Sequence, residues 1–128
     1  MNLLLDAHTS LWWISDDARL SVAARCAIQD ESREIYVSAA TAMEVATKLR
    51  IGKLHEAAEA VARFDELVAA DGFQRLPVTH FHSLKAGSYG ADHRDPFDRL
   101  LAAQSELESL VLVTRDPAFE QFGTPTLW

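Results

Sequence analysis

The sequence holds one cysteine, Cys26, so no internal disulfide is available and a disulfide-stapled scaffold is excluded. Its neighbours Ala23, Ala24 and Ala27 mark it as a small core residue rather than a reactive thiol. No stretch approaches the ~18 unbroken apolar residues of a membrane helix. The N-terminus lacks a basic flank and meets an acid at Asp6, which argues against a signal peptide. These absences lead to the expectation of a protein of the reducing cytoplasm with no membrane partner. Proline (4 residues) and glycine (5) are scarce, which excludes a collagen-like repeat and a flexible linker. With no repeat and no low-complexity run, residues 1–128 read as a single domain. A chain of this length buries roughly two-thirds of its unfolded surface, so it needs no metal merely to fold.

Positive charge is also in short supply. Twelve Lys and Arg face nineteen Asp and Glu, for a net charge of −7. The average field of such a domain repels nucleic acid. Work on RNA or DNA would need a local reversal of sign, and divalent ions on clustered carboxylates provide one.

What is present is an apolar fraction of 48% arranged in short runs separated by helical patterns. The runs at 2–5, 34–38, 73–78 and 110–114 predict strands, and 124–127, with Pro125, predicts an edge strand. The segments 7–14, 22–29, 39–50, 56–70, 80–88 and 96–108 predict helices. Ser21 and Asp95 stand as N-caps, Pro96 at a first helical position and Gly52 as a C-terminal stop. Unbroken apolar strands alternating with helices predict a three-layer α/β/α fold around a mainly parallel sheet of four to five strands. In such sheets the ligand crevice lies beyond the carboxyl ends of the strands.

Acids stand at those ends. Asp6 follows the first strand and Asp116 the fourth; Glu44 is one turn into the helix after the second strand, and Asp98 lies in the first turn of the helix at Pro96. Each has an ordinary structural explanation. Asp6 can cap a helix, Asp116-Pro117 can be a turn, Glu44 can pair with Lys48, and Asp98 can favour a helix dipole. Together, four carboxylates converging on one rim form an oxygen-only cluster that selects Mg²⁺ or Mn²⁺. His8, His55, His80, His82 and His93 show no ligand spacing and are read as surface or capping residues. Basic residues are not enriched around the acids. Arg99 and Arg115, each next to an acid, are candidate neutralising partners.

The blocks LLLDAHTSLWW (3–13), VSAATAMEVATKLRIGKL (37–54), HRDPFDRLLAAQ (93–104) and LVTRDPAF (112–119) resemble, in order, a PIN-domain ribonuclease of the VapC toxin type. The chain departs from that pattern at Ala7, where relatives often carry Thr. The resemblance implies Mg²⁺- or Mn²⁺-dependent hydrolysis of RNA by the toxin of a toxin–antitoxin pair. It implies a cognate antitoxin as partner and a homodimer. It places the acidic positions at Asp6, Asp98 and Asp116 as the main metal cage, with Glu44 as an outer ligand, a second-metal ligand or an orienter of water. It also places a supporting hydroxyl at Thr114. Asp95 reads first as the helix cap and second as support for the metal site.

Other classes fit less well. An aspartyl phosphohydrolase needs a second Asp two residues after the first, and here Asp6 is followed by Ala7-His8. A receiver-like signalling domain needs a Lys at a late strand end, where Thr114-Arg115-Asp116 has none. A non-catalytic PIN-like module that binds a partner protein or RNA remains the alternative. Helix 7–14 adds one expectation. Trp12 and Trp13 flank the Ala7-Leu11-Ile14 stripe at roughly 130° on either side, too wide for one sheet face to bury both. Either a neighbouring element covers one indole, or one serves as an anchor for a protein partner.

Overall fold

The computed structural model describes residues 1–54 and 57–128. Five parallel strands form one sheet in the order β3-β2-β1-β4-β5. They are β1 (Asn2–Leu5), β2 (Ile35–Ser38), β3 (Gln74–Leu76), β4 (Leu110–Val113) and β5 (Thr126–Leu127). The intervening helices are α1 (Ala7–Ile14), α2 (Val22–Gln29), α3 (Ala39–Arg50), α4 (Ala58–Ala62), α5 (Phe64–Ala70), α6 (His80–Ser88) and α7 (Pro96–Glu108).

The alternation of side chains along each strand feeds two cores. Leu3 and Leu5 of β1, Ile35 and Val37 of β2 and Val113 of β4 face one core, which α1, α2 and α5 close with Leu11, Ile28 and Val68. Leu4 and Leu112 face the other, closed by Leu101 and Ala102 of α7 and by Phe119. A strand buried on both faces must be apolar at every position, and that is why β1 reads as an unbroken leucine run. Three layers result, as the alternating pattern predicts.

The helix starts follow local chemistry. Ser21 Oγ accepts from Ala24 N, and Ser38 Oγ accepts from Ala40 N. Two expectations fail. The predicted helix 56–70 is two helices, with Arg63 at φ −106° and ψ 15° between them; its first residue lies outside the described residues. No side chain of Ala58–Ala62 is fully buried, and Val61 packs only partly buried against the core, so this small-residue turn is weakly held to the axis of α5. Cys26 is exposed, not a core residue. Helix α2 turns Ala24, Ala27 and Ile28 inward, and Cys26, two positions from Ala24, lies ~200° around the helix from it. The Asp116-Pro117 turn continues into a 3-10 helix over Pro117–Phe122.

Both indoles of α1 are covered within the chain. Trp12 is 5% exposed and packs against Trp128, with ring centroids 5.8 Å apart. Trp13 is half-buried beside Phe73, and its Nε1 donates to Asp71 Oδ2 at 2.9 Å. A free Trp12 anchor for a partner is therefore ruled out. The helical-wheel geometry stands, but the chain's last residue and the approach to β3 supply the covers that one sheet face cannot.

Candidate active site

The strand order reverses at β1, which pairs with β2 on one side and β4 on the other. Leu5 is in register with Val113, so the ends of β1 and β4 lie side by side. Asp6 and Asp116 leave the sheet there. Asp6 N donates to Val113 O at 3.3 Å, and Thr9 Oγ1 to the same carbonyl at 2.8 Å, which locks the start of α1 to the end of β4. Thr114 is buried, and its Oγ1 accepts from Asp116 N at 3.1 Å. Thr114 thus shapes the turn that carries Asp116 rather than lining the cavity beside it.

Asp6, Glu44, Asp95, Asp98 and Asp116 line one small cavity of about 100 Å³, together with Lys48. The structure brings all four acids expected at the strand rim, and Asp95, to one place. Each uses one oxygen locally. Asp6 Oδ1 accepts from Thr9 N, and Asp116 Oδ1 from Ala118 N. Asp95 Oδ1 accepts from Phe97 N and Asp98 N. Glu44 Oε2 pairs with Lys48 Nζ at 2.7 Å. Asp98 Oδ2 meets His93 Nε2 at 2.7 Å. Among the described residues no bond reaches the second oxygen of any of the five. The caps and the ion pair expected from sequence are all present, and they are compatible with a site because each occupies only half of a carboxylate.

Burial is the main force on Asp98. It pushes the carboxyl up from its ordinary 3.8 to about 6; the charges of Asp95 and Glu44 push the same way, and the His93 bond opposes. Glu44 is only 6% exposed. A cavity walled by acids, one of them held partly protonated by burial and like charge, is suited to a small hard cation with oxygen ligands. The donor chemistry therefore fits Mg²⁺ or Mn²⁺. Among the described residues, no three His, Cys, Asp or Glu side chains are already drawn together as a ligand set. The acids surround the cavity without converging on one point, as like charges do.

Two histidines missed by sequence spacing are here. His93 bonds Asp98, and His8 lines the cavity. No periodic signal marks His93, because its loop is placed by Arg99. That guanidinium donates to the carbonyls of Ala86, Tyr89, Ala91 and His93 at 2.6–3.1 Å. Arg99 is therefore a loop clamp and does not neutralise Asp98. Arg115 pairs with no acid among the described residues either; its guanidinium stacks 4.5 Å over the Trp12 ring. Lys48 is the cation paired with the cluster. His82 is a capping residue, as expected: its Nδ1 accepts from Thr79 N while Thr79 Oγ1 accepts from His82 N.

Solved structures share this architecture. FitAcB from Neisseria gonorrhoeae is 20% identical, with a TM-score of 0.67, over 98% of this chain and 96% of that one. VapBC2 from Rickettsia felis, bound to a DNA fragment from its promoter, is 14% identical with a TM-score of 0.73, over 99% and 98%. At such identities the likeness is one of fold. No curated protein sequence matches significantly. Among the described residues no helix is long and apolar enough to cross a membrane. The PIN domain family model matches residues 3–124, nearly the whole length, and the chain belongs to the PIN domain family.

Proposed function

We propose that the protein is a Mg²⁺- or Mn²⁺-dependent endoribonuclease acting as the toxin of a toxin–antitoxin pair. The observation that carries this reading is the cavity at the β1/β4 switch, walled by five carboxylates that each keep one oxygen without a partner among the described residues. PIN domains are generally nucleases, and the likeness to FitAcB and VapBC2 supports the toxin assignment.

Asp6, Asp98 and Asp116 would hold the ion, with Glu44 as an outer ligand or an orienter of water. Such an ion polarises a phosphodiester and acidifies the attacking water. The chain's own groups do the rest. Asp95 fixes the first turn of α7, and so Asp98, by accepting from two of its backbone N–H groups. Thr114 fixes Asp116 through its backbone N–H. Lys48 pairs with Glu44 at 2.7 Å and so fixes the position of that carboxylate beside the cavity. For partners, we propose a cognate antitoxin protein, as the VapC-type resemblance implies, and a homodimer. The exposed Phe81 and Leu84, one turn apart on α6, offer an apolar face for the second copy.

The test is cleavage of a panel of structured RNAs, tRNA included, by the purified protein with Mg²⁺, Mn²⁺ or EDTA. The expected result is metal-dependent cleavage that falls at least about a hundredfold in folded Asp6→Asn and Asp98→Asn. Asp95→Asn, which preserves the cap, should lose much less. Cleavage that persists in EDTA or in both variants would overturn the assignment. No cleavage at all would leave the non-catalytic interaction module.

A further inference from the structure

Three cavities run together at the carboxylate rim. The acidic cavity shares Asp6, His8 and Asp116 with a second one of about 260 Å³, which adds Thr9, Trp12 and Arg115. That cavity shares His8 and Trp12 with a groove of about 620 Å³ between α1 and the segment around Lys53 and Leu54. His8 is common to all three. Trp12 forms a wall between the last two, with Arg115 stacked at 4.5 Å and Arg19 at 5.1 Å from its ring centroid.

The charge along this path runs against that of the molecule. The chain carries −7 overall. Beyond the acidic cavity, the described charged lining consists of Arg115, Arg19, Lys53 and Asp17. Arg19 and Asp17 pair with each other at 2.8 Å. Arg115 and Lys53 have no carboxylate partner among the described residues. Two uncompensated cations therefore flank an acid-walled site in a strongly acidic protein. The stack on Trp12 fixes the Arg115 guanidinium in place while leaving its N–H groups without acceptors among the described residues.

Building on the nuclease reading above, we propose that Arg115 and Lys53 bind successive backbone phosphates of a single-stranded RNA segment that leaves the carboxylate cavity past His8 and runs along α1. A single strand suits cavities of about 260 and 620 Å³ that share Trp12 and His8 better than a duplex does. Contacts of this kind are to phosphates, so they position the strand without reading its sequence. Each phosphate neutralised should appear in the salt dependence of binding, with a slope of about 0.7 per contact for single strands.

The test measures anisotropy of a short fluorescein-labelled single-stranded oligoribonucleotide of mixed sequence. It is run in EDTA on full-length protein carrying Asp98→Asn, so that cleavage does not interfere. Adding Arg115→Ala is expected to weaken binding about tenfold and to flatten the salt slope by about 0.7. Lys53→Ala should do the same to a smaller degree; Lys53 is exposed and makes no side-chain bond among the described residues, so its loss leaves the fold intact. Unchanged affinity and slope in folded Lys53→Ala and Arg115→Ala would overturn the proposal. A glutamate-rich peptide that displaces the RNA at equal concentration would also overturn it, in favour of an acidic protein segment as occupant. Cleavage by the protein without Asp98→Asn is scored separately. Cleavage with unaltered binding in the two variants sinks the path and spares the nuclease; weakened binding without cleavage on any RNA does the reverse.

Discussion

His93 Nε2 lies 2.7 Å from Asp98 Oδ2, across the turn that opens α7. The bond commits one oxygen of the buried carboxylate and leaves Oδ1 without a partner among the described residues. Ligand carboxylates oriented in this way typically lose tenfold or more in metal affinity when the orienting group is removed. His93→Ala should therefore weaken Mn²⁺ binding about tenfold by calorimetry, with the circular dichroism spectrum unchanged. His93→Gln, which keeps a donor, should recover much of that loss. Equal Mn²⁺ affinity in a folded His93→Ala would show that the bond has no bearing on the site.

Asp98 also sets a pH dependence. Its carboxyl is held at about 6 in the fold, chiefly by burial, against 3.8 ordinarily. The folded state therefore binds that proton more tightly than the unfolded one. This contribution to stability is fully present below pH 3.8 and is lost as the pH rises to about 6. In EDTA, the melting temperature of the wild type relative to Asp98→Asn should fall across that window and then level off. Mg²⁺ or Mn²⁺ should reverse the loss above about pH 6, by binding the ionised native state. A difference that is flat with pH would mean that Asp98 is more solvated than its burial implies.

Lys48 and Glu44 make an ion pair in the acidic cavity, at 2.7 Å, with Glu44 almost fully buried. Removing the ammonium leaves a buried carboxylate near Asp98 with no counter-charge. Lys48→Met should cost the metal-free protein about 2 kcal/mol by urea denaturation. The same variant should gain more thermal stability from Mn²⁺ than the wild type, because the ion then supplies the missing positive charge. Equal metal responses would place Glu44 outside the ion's reach.

The tryptophans of α1 should separate by mechanism. Trp12 is core, so Trp12→Ala should cost about 3–5 kcal/mol. Trp13 donates one hydrogen bond to Asp71, and Trp13→Phe, which keeps the ring against Phe73, should cost about 1 kcal/mol. Chemical denaturation of both variants checks the difference. Near-wild-type stability in Trp12→Ala would show that Trp128 does not form the cover described above.

The sequence by itself determined most of the elements, the parallel sheet, the rim on which the acids stand, and the local caps, but not the break at Arg63 or the 3-10 helix after Asp116. These follow from apolar runs, helical spacing and capping chemistry, all of which act over a few residues. Asp6, Asp95 and the Glu44–Lys48 pair were legible for that reason. The tertiary structure alone decided which partners the remaining groups found. Arg99 lies next to Asp98 in sequence, yet its fork fits four carbonyls, one in α6 and three in the segment that follows it, and fixes His93 in the process. Arg115 lies next to Asp116, yet it stacks on an indole over a hundred positions earlier in the chain. Trp12 is buried because Trp128, at the far end of the sequence, folds back onto it. Cys26 is exposed because the orientation of α2, not its alanine neighbours, decides which face meets the core. Such contacts join residues that share no period and no local motif, and they exist only once β4 and β5 have paired beside β1.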